Sequence, residues 1–245
     1  MLETARYALD CNYGSIVLQS GELESKHFTG RVNGLLNKIH QHTGGRLRIT
    51  LSCGEQNRET CLRWFESGAH RYLLRIEASN PELYGRLHPG DQKHLYSRRL
   101  ECLYDLKDIG YQTGTGVMIG LPFQTIADLA DDLLFMKQYD VDMVGMGPYL
   151  EHENTPFYHL RNLLPGHFER FQLTLKMIAL LRIMMKDINI AATTATQTID
   201  PSGRELAVDA GANVIMPNIT PVKYRQYYSL YNGKPFINET FPDLE

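Results

Sequence analysis

Cysteine is scarce in this sequence: four residues, Cys11, Cys53, Cys61 and Cys102, in a chain of 245. They lie far apart and form no close-spaced ligand motif, which argues against a disulfide framework or a metal knot and predicts buried, reduced thiols. No apolar run approaches the roughly 18 residues of a membrane span, and the first residues carry neither a basic n-region nor an apolar h-region. No membrane partner is expected, and the expected location is cytoplasmic. Positive charge is not in excess either. The 25 Lys and Arg residues face 28 Asp and Glu, a formal net charge of -3, and they are scattered rather than striped, so no nucleic-acid partner is expected. Low-complexity tracts, interdomain linkers and short repeats are all missing, which predicts one domain over 1–245. A dinucleotide fingerprint is missing too. Gly114-Thr115-Gly116 has the spacing Gly-x-Gly-x-x-x-Gly and lies within a strand, where it predicts close backbone approach or a kink.

What the chain does contain is an alternation of strand and helix patterns, centred on His70-Arg71-Tyr72-Leu73-Leu74-Arg75-Ile76-Glu77. Side chains alternate across a strand, so Tyr72, Leu74 and Ile76 share one face, and Arg71, Leu73, Arg75 and Glu77 share the other. In a sheet covered by helices, the charged face must meet a closed interior. If the sheet closes into a barrel, Arg75 and Glu77 point inward, with Glu77 at the carboxyl rim where barrel enzymes keep their active sites. An internal Arg-Glu pair that only fills space remains an equal alternative.

Strands are predicted near 16, 49, 73, 116, 144, 191 and 214, each followed by a helix, with a further helix over 2–13 ahead of them. The expected fold class is α/β, a TIM-type barrel with seven of eight βα units. The helix that opens the chain without a strand before it predicts that the first strand and its following loop are missing. A partial barrel of seven units, complete in itself, is the alternative. Asn80-Pro81 reads as a chain break, and Glu151-His152-Glu153 as a solvated loop in preference to a metal site. An ordinary barrel lyase or aldolase would want an inward Lys or a metal triad at the strand ends, and the pattern offers neither.

Six blocks in order resemble one family: 16–22 (Ile-Val-Leu-Gln-Ser-Gly-Glu), 71–77, Gly120-Leu121-Pro122 with Gln124-Thr125, 142–148, Ala192-Thr193-Thr194-Ala195, and 211–218. They are similar to the HydE family of radical S-adenosylmethionine (SAM) maturases of [FeFe]-hydrogenase, with looser similarity to biotin synthase and methylornithine synthase. The resemblance implies a radical SAM barrel in which a [4Fe-4S] cluster, on a Cys-x3-Cys-x2-Cys loop after the first strand, donates an electron to SAM and yields a 5'-deoxyadenosyl radical. In the family this serves assembly of the hydrogenase diiron subcluster. No cysteines here have that spacing, so the chain alone is expected to be inactive and to hold no metal; a shortened SAM- or anion-binding paralogue is the alternative. The resemblance further implies that Gln19, Ser20, Gly21, Glu22, Ser52, Glu77 and Arg99 contact SAM, and that Thr50, Arg75, Thr193, Thr194, Met216 and Tyr231 line a substrate or anion pocket. A small-molecule or iron-complex substrate and other hydrogenase maturation proteins are the implied partners. From the residues alone, Arg99 reads as a solvated helix residue, Met216 as core, and 19–22 as a plain strand-ending turn.

Overall fold

The computed structural model of the chain describes residues 1–225 and 227. Tyr231 and most of the helix expected near the carboxyl end lie outside the described residues. The chain packs as two compact units, one made of Met1–Ile76 and His88–Thr115, the other of Glu77–Leu87 and the described residues from Gly116 on.

The first unit holds four parallel strands in the order β1 (Ser15–Gln19), β2 (Arg48–Ser52), β3 (Arg71–Leu73) and β4 (Gln112–Thr115). Register pairs Gln19 with Ser52, and Thr50 with both Val17 and Arg71. Its helices are α1 (Leu2–Asp10), α2 (Lys26–Thr43), α3 (Arg58–Glu66) and α5 (Tyr96–Ile109). Parallel strands need crossovers, and a helix supplies each one. Ser25 caps α2 and Asn57 caps α3, each accepting the backbone N–H three residues on, which satisfies an otherwise orphaned donor. Trp64 is fully buried and donates its indole N–H to the Thr29 carbonyl at 3.1 Å, tying α3 to α2. With Leu36, Ile39, Ile49 and Leu51 it forms a core in which each side chain contributes about 1.5–3 kcal/mol.

The opening strand keeps its alternation, since Tyr72, Leu74 and Ile76 are buried while Arg71, Leu73, Arg75 and Glu77 are half-buried. It is shorter than its pattern. The Leu74 N–H still donates to the Gly114 carbonyl at 2.9 Å, but the Thr115 hydroxyl donates to the Leu74 carbonyl at 2.9 Å and accepts the Ile76 N–H at 3.1 Å, so there a side chain stands in for the backbone partner.

The second unit has β6 (Met143–Gly145), β8 (Asn189–Ala192) and β9 (Val214–Ile215) in parallel, and a separate parallel pair β5 (Met118–Ile119) and β7 (Gly147–Pro148). The strands expected near 116 and 144 are therefore each split. At Gly116 a Cβ would stand 1.9 Å from the Gly145 carbonyl oxygen, so the close backbone approach expected of the glycine run is real. Its helices are α4 (Pro81–Leu87), α6 (Ile126–Tyr139), α7 (His167–Met184), α8 (Thr194–Ile199), α9 (Gly203–Asp209) and α10 (Val222–Arg225), with a 3-10 helix over Pro156–Leu163.

Three elements correct the sequence reading. Asn80-Pro81 does not break the chain but starts α4, with the Asn80 side chain accepting the Glu82 N–H at 2.9 Å and proline in the first turn, where its missing N–H costs nothing. The loop at 150–166 carries the 3-10 helix. The strand expected through Thr194 stops at Ala192, and Thr194 opens α8.

Candidate functional site

In the first unit, the carboxyl ends of β1 and β2 bring most of the implied SAM residues together. Gln19 ends β1 with its side chain exposed. Ser20 donates its backbone N–H to the Ser52 carbonyl at 3.1 Å and its hydroxyl to the Gly21 carbonyl at 2.8 Å, and Gly21 also accepts the Leu23 N–H at 3.0 Å. The turn therefore spends some backbone groups on itself and presents the Glu22 carboxylate. Glu22 Oε1 lies 3.0 Å from Arg99 Nη2, and Oε2 lies 3.3 Å from His94 Nε2. Gly54, at φ +71, makes room beneath: a Cβ there would sit 2.5 Å from the Glu22 Cγ.

Arg99 is not a solvated helix residue. It is 4% exposed, and its guanidinium reaches Glu55 Oε1 through Nε at 2.5 Å, the Arg75 carbonyl through Nη1 at 2.8 Å, and Glu22 through Nη2. Glu55, which the sequence reading missed, is 0% exposed, and its Oε2 has no hydrogen-bond partner among the described residues. Its signal was positional: Gly54-Glu55 follows directly on the carboxyl end of a strand. Around the turn, Lys93 donates to the Glu22 carbonyl, Arg98 pairs with Glu24 at 2.7 Å, and His94 Nδ1 lies 2.7 Å from Asp91 Oδ1. The His94 ring beside it lowers the Asp91 carboxyl from its usual range.

The implied anion-pocket residues divide between the units. Thr50 is buried on β2, and Arg75 is half-buried and lends its carbonyl to Arg99. In the second unit Glu77 is half-buried at φ 63, its N–H donating to the Gly116 carbonyl and its carbonyl accepting from Met118. Thr193 and Thr194 are half-buried at the start of α8, where the Thr193 Oγ1 would be 2.5 Å from a Cβ on Gly147. Met216, just past β9, is exposed rather than core.

The second unit also carries a cluster that the sequence reading did not foresee. Buried Arg170 donates through Nη1 to the Tyr149 carbonyl and through Nη2 to Glu151 Oε1 at 2.7 Å, while Glu151 Oε2 lies 2.8 Å from His167 Nε2. Glu151 is thus an ion-pair hub and not part of a solvated loop. Burial pushes its carboxyl up, but Arg170 and His167 outweigh that and hold it below the usual range.

Cys53, Cys61 and Cys102 are buried as expected, whereas Cys11 is exposed. The proximity of Cys61 and Cys102 raises the first thiol and lowers the second, while burial raises Cys53.

No protein-family model matches the chain. Over 98% of its length it is 49% identical to the [FeFe] hydrogenase maturase subunit HydE of Thermotoga maritima, covering 65% of that protein. The crystal structure of methylornithine synthase matches 87% of the chain and 60% of its own length, with 26% identity and a TM-score of 0.73. Nearly the whole chain is thus alike to a HydE maturase in sequence, and most of it to methylornithine synthase in fold. The α/β barrel class expected from the sequence is the class of these radical SAM neighbours. The FeFe-hydrogenase maturase HydG from Carboxydothermus hydrogenoformans shares the fold at 19% identity and a TM-score of 0.71, over 87% of this chain and 49% of that one. The chain spans less than two thirds of the length of each of these radical SAM relatives.

Proposed function

We propose that the chain serves [FeFe]-hydrogenase maturation as a HydE-like radical SAM protein, with Gln19, Ser20, Gly21, Glu22, Ser52, Glu77 and Arg99 as its SAM side. The observation that carries this is the Glu22 carboxylate, held at both oxygens yet one third exposed, at the carboxyl end of a parallel strand. Each oxygen keeps lone-pair capacity for the ammonium group of a methionyl ligand, while Ser20 and Ser52 offer hydroxyls alongside. The residues therefore fit the amino-acid end of SAM. Arg99 holds Glu22 in place. Glu77 is assigned to the ribose hydroxyls, and Thr50, Arg75, Thr193, Thr194 and Met216 to a small anionic or iron-complex substrate. Other hydrogenase maturation proteins are the proposed partners.

In this family, SAM with a reduced [4Fe-4S] cluster supplies a 5'-deoxyadenosyl radical. The thiols of this chain do not fit such a cluster: Cys53 donates to the Leu18 carbonyl, Cys61 and Cys102 to the Gln56 carbonyl, and Cys11 stands apart on the end of α1. What this chain's own residues do is bind, orient and shield. Among the described residues, no helix is long and apolar enough to cross a membrane.

The test is to fuse a first strand with a Cys-x3-Cys-x2-Cys loop before Leu2, reconstitute it anaerobically and assay reductive SAM cleavage. Release of 5'-deoxyadenosine that falls at least tenfold in Glu22→Gln is the expected result. A fusion that carries a full cluster and neither binds nor cleaves SAM would leave a SAM-independent anion-binding role as the better account.

A further inference from the structure

The segment between α4 and α5, together with the first turn of α5, meets residues 22–24 at four points. Lys93 donates to the Glu22 carbonyl, His94 Nε2 reaches Glu22 Oε2 at 3.3 Å, Arg98 pairs with Glu24 at 2.7 Å, and Arg99 with Glu22 Oε1 at 3.0 Å. Asp91 organises this segment. Its Oδ1 accepts the backbone N–H groups of Lys93 and His94, both at 3.0 Å, and faces His94 Nδ1 at 2.7 Å. An imidazole whose Nδ1–H is engaged by a carboxylate turns its Nε2 outward, here toward Glu22.

We propose that His94, aligned by Asp91, is a positioning residue for Glu22, and that residues 91–99 form a strap whose hold on the Gln19–Glu22 turn tightens when His94 is protonated. The charge balance gives the sign. Protonated His94 donates to carboxylates on both sides; neutral His94, with its proton kept at Nδ1 by Asp91, turns a lone pair toward Glu22 Oε2. The other charged groups facing Glu22 and the strap are Lys93, Arg98, Arg99, Glu24 and Glu55. The strap's hold therefore weakens as rising pH takes the proton from His94. Its functional consequence, a SAM affinity that falls over the same range, rests on the reading of the turn as the SAM site.

Two measurements on the whole chain separate the two claims. Amide hydrogen-exchange protection factors over 19–24, without ligand, test the strap alone. Protection is expected to be about fivefold higher at pH 6 than at pH 8, low at both in His94→Gln, and high at both in His94→Lys, whose cation persists. Asp91→Asn should fall between wild type and His94→Gln. Protection that does not change with pH, and is the same in His94→Gln as in wild type, overturns the proposal. Equilibrium dialysis with SAM then reads the function. An affinity that drops about fivefold from pH 6 to pH 8, and not in His94→Lys, supports both claims; the exchange pattern without any SAM binding upholds the strap and removes the SAM assignment.

Discussion

Each unit holds a buried arginine, a glutamate and a histidine in the same arrangement. Arg99 and His94 take the two oxygens of Glu22; Arg170 and His167 take those of Glu151. A glycine at positive φ makes room in both, Gly54 under the Glu22 methylenes and Gly120 under the Arg170 chain. The differences lie in exposure and in the added charge. The Glu22 side chain is 33% exposed and its histidine 19%, whereas Glu151 is 12% exposed and its histidine 57%. The first cluster thus keeps its carboxylate open and its histidine covered, and the second does the reverse. Arg99 also answers to Glu55, a second carboxylate with one oxygen unpartnered among the described residues, whereas in the Glu151 cluster the atom without such a partner is a donor, Arg170 Nε. One cluster leaves its carboxylate partly open to solvent; the other closes a loop onto a helix.

Removing the arginine separates them most. Arg99→Met leaves the fully buried Glu55 carboxylate without a cation and should cost about 4 kcal/mol, while Arg170→Met leaves Glu151 its histidine and should cost about 3 kcal/mol. Chemical denaturation at pH 7 reads both, and equal losses, or a larger loss at Arg170, would break the comparison.

A smaller effect comes from a buried carboxylate with no cation paired to it among the described residues. Asp132 accepts the Ser79 N–H at 2.7 Å, its Oδ2 has no partner among the described residues, and burial pushes its pKa up to about 6. A carboxyl raised in the folded state stabilises fully below its unfolded pKa, near 4, and loses that contribution as pH rises through about 6. Relative to Asp132→Asn, wild type should lose about 2–3 kcal/mol between pH 4 and pH 7, as read by urea unfolding at the two pH values. A constant difference would place the carboxyl in a more solvated setting.

Smallest is the effect of the glycines. A Cβ on Gly120 would meet the Arg170 Cγ and Cδ at 2.2 and 2.3 Å, and Arg170 is buried and cannot move aside. At Gly54 the obstacles are the Glu22 Cγ at 2.5 Å, which can swing toward solvent, and its Cβ and backbone Cα at 2.7 and 3.0 Å, which a rotamer change leaves in place. Gly120→Ala should cost about 2 kcal/mol and Gly54→Ala about 1–2 kcal/mol, to be read from melting temperatures.

Periodicity carried much of the fold. The alternation through Tyr72, Leu74 and Ile76 is a burial pattern that survives even where Thr115 interrupts the ladder, because packing against helices, not hydrogen bonding, sets which face is apolar. Asn80-Pro81 was misread because proline breaks a helix interior but suits a first turn, and only the cap bonds decide which applies. The clusters were harder. Glu55 and Glu151 are polar residues outside any periodic stretch, and Arg99 sits on a helix with polar residues close by, so nothing local shows that Glu55 and Arg99 are buried and Glu151 half-buried. Their burial comes from partners 44 and 19 residues away.

The most direct test of the SAM side is a titration of the isotopically labelled chain with SAM, followed at backbone amides. Two or three partly solvated polar contacts supply about 4–6 kcal/mol, so saturation is expected in the high micromolar range or weaker. Shifts at Gln19, Ser20, Gly21, Glu22 and Ser52, with smaller ones along 91–99, are the predicted result. Shifts confined to the Glu151 cluster, or none with SAM at millimolar concentration, would contradict it.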